Sequence, residues 1–257
     1  MKLQIAIISI TLVLCVVSCA HKSGRNRRDS ASHSNRTEIV ADTDVSVNQV
    51  SQCDQRNLEV NLSNNRGDKN KLDGSKIFAR YNTAVFMVFT SDGYNGYQGS
   101  GFFINSDGLA VSNYHVFQGT AIGAEQIKLA NSDDAYKVVE VIHKDTDEDF
   151  ILFRINASNT NYIPLAKNRP QVGEKVYAIG SPRGLENTFS SGEVSQWRDK
   201  NLMQISALID HGSSGGALIN EYGEVVGITS GSFADGSQAN LNYAWSIDVV
   251  KPFVNCK

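Results

Sequence analysis

The sequence predicts an all-β fold: two packed antiparallel barrels with a short C-terminal helix. Three observations carry this. Short apolar runs bounded by Gly, Asn, Asp and Ser recur from residue 84 to residue 247, and such runs read as strands. They fall into two groups of six separated by a polar stretch, residues 156–169, and two such groups suit two barrels that hide their strand edges. The chain has 257 residues, 41% of them hydrophobic, with 21 glycines and 4 prolines. That is enough for one domain of about 180 residues plus appendages, with many turns.

The chain opens with Met1-Lys2 and an apolar run from Leu3 to Val17, the basic head and apolar middle of a secretory signal. The run is too short for a comfortable membrane span. It closes on Val16-Val17-Ser18-Cys19, which resembles a bacterial lipobox with Cys19 as the lipidated residue. Cys15, preceded by Leu14, fits less well, and an ordinary cleaved signal is the alternative. Residues 1–18 are thus expected to be a lipoprotein signal peptide. The mature chain is expected in the bacterial cell envelope, held at a membrane by an N-terminal lipid, in the periplasm or on the cell surface.

Residues 19–74 are polar and rich in Asn, Ser, Asp and Arg, too poor in apolar surface to order themselves, and read as a tether. Lys22, Arg25, Arg27 and Arg28 form a small basic cluster, a solvated run or a contact for anionic headgroups. Val45-Ser46-Val47 suggests a brief strand.

Globular patterning covers residues 75–254, with a first barrel at about 75–160 and a second at about 168–247. Lys76 to Asn82 suggests a short helix. Strands are expected at Ala84 to Phe89, Gln98 to Asn105, Leu109 to Ser112, Ile127 to Leu129, Tyr136 to His143 and Phe150 to Ile155. Gly93 and Gly96 punctuate the first pair, and Ser106-Asp107-Gly108 reads as a hairpin turn. The second group comprises Lys175 to Gly180, Thr188 to Ser195, Leu202 to Ala207, Ala217 to Ile219, Glu224 to Ser230 and Leu241 to Ile247. Asp248 to Val254 suggests the terminal helix.

The chemistry concentrates in His211-Gly212-Ser213-Ser214-Gly215-Gly216. A serine hydroxyl is a weak nucleophile and needs a base and a site for the developing oxyanion. Gly212 allows a turn that aims its N–H, with that of Ser214, at a reacting carbonyl. Gly215 and Gly216 allow close backbone approach. Apolar runs on either side argue against a mere linker. A histidine base and an orienting carboxylate are then required. His115 stands where the strand ending Ser112-Asn113 gives way to a turn. Asp149 stands at the mouth of the buried run Phe150-Ile151-Leu152-Phe153, whereas Asp145, Asp147 and Glu148 look like solvated turn charges. The order His115, Asp149, Ser214 would put base and carboxylate in the first barrel and nucleophile in the second.

At this point the chain resembles the protease domain of the HtrA/Deg family of trypsin-like serine peptidases. The resemblance rests on Gly99-Ser100-Gly101-Phe102-Phe103-Ile104, on Asp107 to Val116 and on Asp149 to Ile155. In the second half it rests on Val172 to Leu185, on Gly192-Glu193-Val194-Ser195 and on Gly212 to Gly216. It spans about Lys76 to Val254 and implies a chymotrypsin-like double barrel. It also implies a Ser-His-Asp triad of Ser214, His115 and Asp149, with an oxyanion hole from the N–H groups of Gly212 and Ser214. Extended or unfolded polypeptides would lie as a strand along Thr229-Ser230-Gly231. The pocket for the residue before the cut bond would have three walls, the stretch before the nucleophile, the strand at Thr229, Ser230 and Gly231, and the stretch at Tyr243, Ala244 and Trp245, with Leu208 at its base. A neutral Leu208 would reject Lys and Arg, and Tyr243 and Trp245 would restrict the pocket to aliphatics. Asp210 is the rival pocket acid.

Two departures from the family pattern stand out. Ser213 replaces an Asn, or the Asp that pairs with a freed N-terminus in zymogen-activated relatives, so activation by that ion pair is not expected. His211 occupies a position usually held by a small residue or proline. The PDZ domains that many relatives carry are not matched.

Other classes stay open at the level of sequence: a catalytically silent peptide-binding envelope lipoprotein of the same fold, a structural envelope lipoprotein, and an esterase with the same triad. A net charge of −3 gives no basic field for nucleic acid. The cysteines, Cys15, Cys19, Cys53 and Cys256, contain no Cys-x-x-Cys, so no zinc site is expected and no cofactor is called for. Cys53 and Cys256 remain for a possible disulfide once Cys19 carries lipid. Oligomeric state is not legible.

Overall fold

The run Phe150-Ile151-Leu152-Phe153 shows why the strands are apolar without alternation: both of their faces are buried. Phe150 and Leu152 belong to the core between the two barrels, whereas Ile151, Phe153 and Ile155 fill the interior of the first. Successive strand residues point to opposite faces, so a strand with a core on each side reads as a continuous apolar run. The same division recurs in the second half. Tyr177 and Ile179 join the central core, and Val176 and Ala178 face the interior of the second barrel. Each such Val, Leu, Ile or Phe side chain contributes about 1.5–3 kcal/mol on burial.

The computed structural model describes residues 58–63, 70–130, 132–185, 187–232 and 241–256. In chain order the first half contains β1 (Glu59–Val60), β2 (Leu62–Ser63), α1 (Gly74–Tyr81), β3 (Val85–Ser91), β4 (Gly96–Phe103), β5 (Leu109–Ser112), the one-turn helix α2 (Tyr114–Phe117), β6 (Gln126–Leu129), β7 (Ala135–Tyr136), β8 (Val138–Asp145) and β9 (Phe150–Ile155). The second half contains β10 (Leu165–Ala166), β11 (Lys175–Gly180), β12 (Thr188–Trp197), β13 (Leu202–Ile205), β14 (Ala217–Asn220), β15 (Val225–Ser232), β16 (Asn242–Ser246) and β17 (Asn255–Cys256).

The fold is the expected chymotrypsin-like, mostly β double barrel. The first sheet runs β7-β6-β3-β4-β5-β9-β8. Its two edges, β7 and β8, are separated in the chain only by Lys137, and among the described residues no ladder joins them, so this sheet is a half-barrel. In the second sheet, β14-β11-β12-β13-β16-β15 closes on itself through the β14–β15 pairing.

Several boundaries differ from expectation. Residues 58–63, assigned to the tether by composition, form part of the folded unit. Here β1 runs parallel to β17 with Val60 opposite Cys256, and β2 runs parallel to β10. Val60 is buried and Leu58 and Leu62 pack against the same core, an alternating apolar triplet that composition over the whole polar stretch averages away. The expected strand from Tyr136 to His143 is split, because Val138 N–H turns to the buried Glu125 carboxylate (2.7 Å) and Lys137 Nζ to the Glu125 carbonyl (2.5 Å). The expected C-terminal helix is two 3₁₀ turns, Ile247–Val249 and Lys251–Phe253. Pro252 has no N–H to extend a helical ladder through this stretch. Cys15, Cys19, Cys53 and Val45-Ser46-Val47 lie outside the described residues, as do residues 1–57 as a whole. Among the described residues no helix is long and apolar enough to cross a membrane.

Candidate active site

His115 sits on α2, the short helix that follows β5, rather than at the end of the strand itself. Asp149 grips it twice. The Asp149 Oδ1 accepts from the His115 backbone N–H at 2.9 Å, and Oδ2 lies 2.7 Å from the ring Nδ1. One carboxylate thus fixes both the helix turn and the ring plane. Asp149 is itself held on three sides. Its backbone adopts φ 45°, a left-handed conformation that a short polar side chain tolerates. The preceding turn is closed by Asp145 Oδ1, which accepts from the N–H groups of Asp147 and Glu148, each at 2.8 Å. Asn113 Nδ2 donates to the Asp149 carbonyl at 2.7 Å, and Ser230 Oγ donates to Oδ2 at 3.0 Å. The last contact crosses from the second barrel.

Ser214 occupies the loop between β13 and β14, and this loop is tied to both barrels. Ser100 of β4, fully buried, is the main tie. Its N–H donates to the Ser214 carbonyl (2.8 Å), its Oγ donates to the Gly212 carbonyl (2.7 Å) and the same Oγ accepts from Ser181 N–H (2.9 Å). Within the second barrel, Thr229 Oγ1 donates to the Ser213 carbonyl at 2.7 Å, and Gly215 N–H donates to the Thr229 carbonyl at 2.7 Å. Gly215, at φ 87°, has no room for a side chain, because a Cβ would stand 2.2 Å from the Ser100 carbonyl oxygen. The glycine therefore lets the first barrel, not only the next strand, close onto the nucleophile loop.

Ser230 and Gly231 bring the two halves of the site into one cleft. Ser230 touches Asp149, and the adjacent Gly231 presents its Cβ position 3.4 Å from Ser214 Oγ. The peptide between His211 and Gly212 has a fixed orientation. Its carbonyl accepts from Arg183 N–H at 2.8 Å. In a trans peptide the N–H points opposite to the carbonyl, so the Gly212 N–H faces away from Arg183.

A cavity of ≈ 490 Å³ opens beside the nucleophile loop, lined by Ile179, Phe189, Ser190, Ile209, Ser213 and Thr229 among others. Leu208 lines it too, but at 64% exposure it stands at the rim and not at the base. Tyr243, Ala244 and Trp245 do not line it. Ala244 faces the interior of the second barrel, Trp245 packs on the central core, and Tyr243 lies opposite Gly231 in the β15–β16 ladder. Instead β11 and β12 supply the far wall, which chain spacing alone does not reveal. Asp210 lines the cavity with its carboxylate engaged, 2.9 Å from Arg183 Nε, and accepting from His211 N–H at 2.7 Å. These contacts, the His211 N–H first, hold its carboxyl below the ordinary carboxylate range. Thr229 is removed from the expected substrate strand, since its N–H goes to the Gly216 carbonyl and its carbonyl to Gly215 N–H. Ser230 and Gly231 remain. Among the described residues no His, Cys, Asp or Glu cluster is arranged to hold a metal.

Residues 99–228, half of the chain, match the family model for the trypsin-like peptidase domain. A probable serine protease do-like from Buchnera aphidicola is 36% identical over 165 residues, covering 60% of this chain and 34% of that protein. A probable periplasmic serine endoprotease DegP-like from Halomonas elongata is 36% identical over 160 residues, covering 59% of this chain and 33% of that protein. The mitochondrial serine protease HTRA2 of Drosophila ananassae is 32% identical over 184 residues, covering 67% and 42%. The chain thus spans between a third and a half of the length of these relatives. The crystal structure of the serine endoprotease from Yersinia pestis superposes with a TM-score of 0.63 at 26% identity, covering 72% of this chain and 66% of that one.

Proposed function

Because the chain belongs to the trypsin-like peptidase family, with relatives named as HtrA- and DegP-type serine proteases, we propose that it is a serine endopeptidase in which Ser214 is the nucleophile, His115 the base and Asp149 the orienting carboxylate. The observation that carries the reading is the double grip of Asp149 on His115, at 2.7 and 2.9 Å, in the cleft that Ser214 faces. With Nδ1–H committed to the carboxylate, Nε2 is left as the acceptor for the serine proton. Attack on a peptide carbonyl gives a tetrahedral intermediate whose oxyanion is met by the N–H groups of Gly212 and Ser214. His115 returns the proton to the leaving amine, and an acyl-enzyme forms. Water, deprotonated by His115, then releases the acid.

The substrate in this proposal is an extended or unfolded polypeptide, paired along Ser230-Gly231 with the side chain before the cut bond in the 490 Å³ cavity. Hydroxyls of Ser190, Ser213 and Thr229 and the apolar faces of Ile179 and Ile209 suit a small or medium uncharged side chain. The enzyme is placed in a bacterial envelope, tethered through lipid on Cys19. The lipobox-like Val16-Val17-Ser18-Cys19 and the periplasmic name of the Halomonas relative support this.

The test is labelling of the purified protein with a fluorophosphonate, alongside cleavage of unfolded casein. Wild type should label and cleave, and Ser214→Ala should do neither. Cleavage by pure Ser214→Ala protein would overturn the assignment. Labelling without cleavage of any peptide would favour an esterase.

A further inference from the structure

We infer that Gln98 is a positioning residue for the oxyanion donor Gly212, acting from the opposite barrel; the inference rests on the peptidase reading above. Gln98 lies on β4, half-buried, two residues before Ser100. Its carboxamide is fully engaged. Nε2 donates to the carbonyls of Ser181 (2.6 Å) and Gly99 (3.2 Å), and Oε1 accepts from Gly184 N–H (2.9 Å). One side chain of the first barrel thus spans both ends of the segment Ser181–Gly184 of the second. That segment carries Arg183 and Gly184 in consecutive left-handed conformations, φ 54° and 74°, a backbone that needs support from its surroundings.

The segment acts on the nucleophile loop through Arg183 N–H, which holds the His211 carbonyl at 2.8 Å. That bond sets the plane of the His211–Gly212 peptide and therefore the direction of the Gly212 N–H. Gln98 also abuts Gly212 directly, since a Cβ on Gly212 would stand 2.4 Å from Gln98 Oε1 and 2.8 Å from the Ser181 carbonyl oxygen. Gly212 is at φ 95°, so the donor peptide is wedged between the Gln98 amide and the peptide plane that Arg183 fixes. The segment's own side-chain tie to the loop, Arg183 Nε to Asp210, is exposed to solvent at both ends and contributes little. The orientation of the donor therefore depends on two side chains of β4, the Ser100 hydroxyl at the Gly212 carbonyl and the half-buried Gln98 amide beside it. An oxyanion donor acts only on the tetrahedral state, so loosening it lowers turnover and leaves ground-state binding alone.

The experiment compares wild type with Gln98→Glu and Gln98→Leu. Gln98→Glu keeps the shape and the acceptor for Gly184 N–H but turns an oxygen toward the Ser181 carbonyl; Gln98→Leu removes both functions. On unfolded casein, kcat should fall about tenfold or more in both variants, part of the roughly 10²–10³ that losing an oxyanion donor costs, with KM within about twofold. The Ki of a peptidyl boronate, whose tetrahedral adduct on Ser214 mimics the oxyanion, should rise in step with the fall in kcat. Casein-peptide affinity measured in the Ser214→Ala background should be the same with and without Gln98→Glu. A purely structural role would instead weaken peptide binding and lower the melting temperature together, and that result overturns the inference. Unchanged kcat and unchanged boronate Ki in an active enzyme also overturn it. Wild-type protein inert to fluorophosphonate and casein overturns the peptidase reading and this inference with it.

Discussion

Deleting the Ser214 hydroxyl removes one atom from a cleft and leaves every hydrogen bond of the Ser214 backbone in place. Ser214→Ala should therefore lower kcat by about 10⁶ with an unchanged thermal midpoint, and His115→Ala should be nearly as damaging because such residues act as a unit. In the proposed enzyme, specificity turns on Asp210. Its carboxylate is half-exposed and already engaged by Arg183 and the His211 N–H, so it is not a buried counter-charge for a Lys or Arg side chain entering the described part of the cavity. An unpaired buried cation costs several kcal/mol. A peptide-library profile should show Val, Ala, Ile or Leu before the cut bond. Dominance of Lys or Arg there would mean that the Arg183–Asp210 pair opens to admit substrate. His115, Asp149 and Ser214 could be picked out as candidates because each stands beside a recognisable local signal, a strand end, a buried run or a glycine cluster, and the structure gathers them around one cleft. Gln98 and Ser100 could not be, since their partners lie 83, 86 and 112 residues away and no local pattern announces them.

At the scale of elements, β5, β9 and β11 have the bounds expected from sequence, and in β9 a mainly apolar run marks them. Its central residues are also the most costly to alter. Phe153 is fully buried among Phe86 and Phe117 in the first barrel, so Phe153→Ala should destabilise by about 3–5 kcal/mol in urea unfolding, while the exposed Val139→Ala should change it little. Helix α1 offers a pH-dependent case. The Ser75 hydroxyl and then the Lys76 N–H hold the Asp73 cap down to about 2 from its ordinary 3.8. A lowered carboxyl stabilises the fold above its unfolded value and ceases to do so as pH falls through the folded one. Asp73→Asn still caps the helix but carries no such charge. The difference in melting temperature between the two proteins should be constant near neutrality and shrink between about pH 4 and pH 2; a constant difference would show that the carboxylate is not capping. The β7–β8 break and the 3₁₀ turns escaped the sequence because a buried glutamate and a single proline redirect the chain there, and neither changes the local hydrophobic pattern.

For the whole molecule, the open questions lie N-terminal to β1. Mass spectrometry of the mature protein should find lipid on Cys19; an unmodified N-terminus elsewhere in the chain would reject the anchor. Cys53 and Cys256 should form a disulfide, and titration under non-reducing, denaturing conditions should then find neither thiol free. Two free thiols would end that idea. Loop-closure entropy allows such a bond up to about 5 kcal/mol, so reduction should lower the melting point. The β1–β17 pairing, with Val60 opposite Cys256, already brings the chain after Cys53 alongside Cys256. Composition placed the end of the tether too late because it weighs polar residues and not the backbone pairing that a two-residue strand can make. The division of the site between the barrels has a consequence for synthesis and export. A chain made from its N-terminus acquires His115 first, has the His115–Asp149 pair about 65 residues before Ser214, and acquires Ser230, which secures Asp149, later still. On the proposed assignment, the half made first would be unable to cut either its neighbours or its own trailing segment, and activity would begin only once the second barrel is complete.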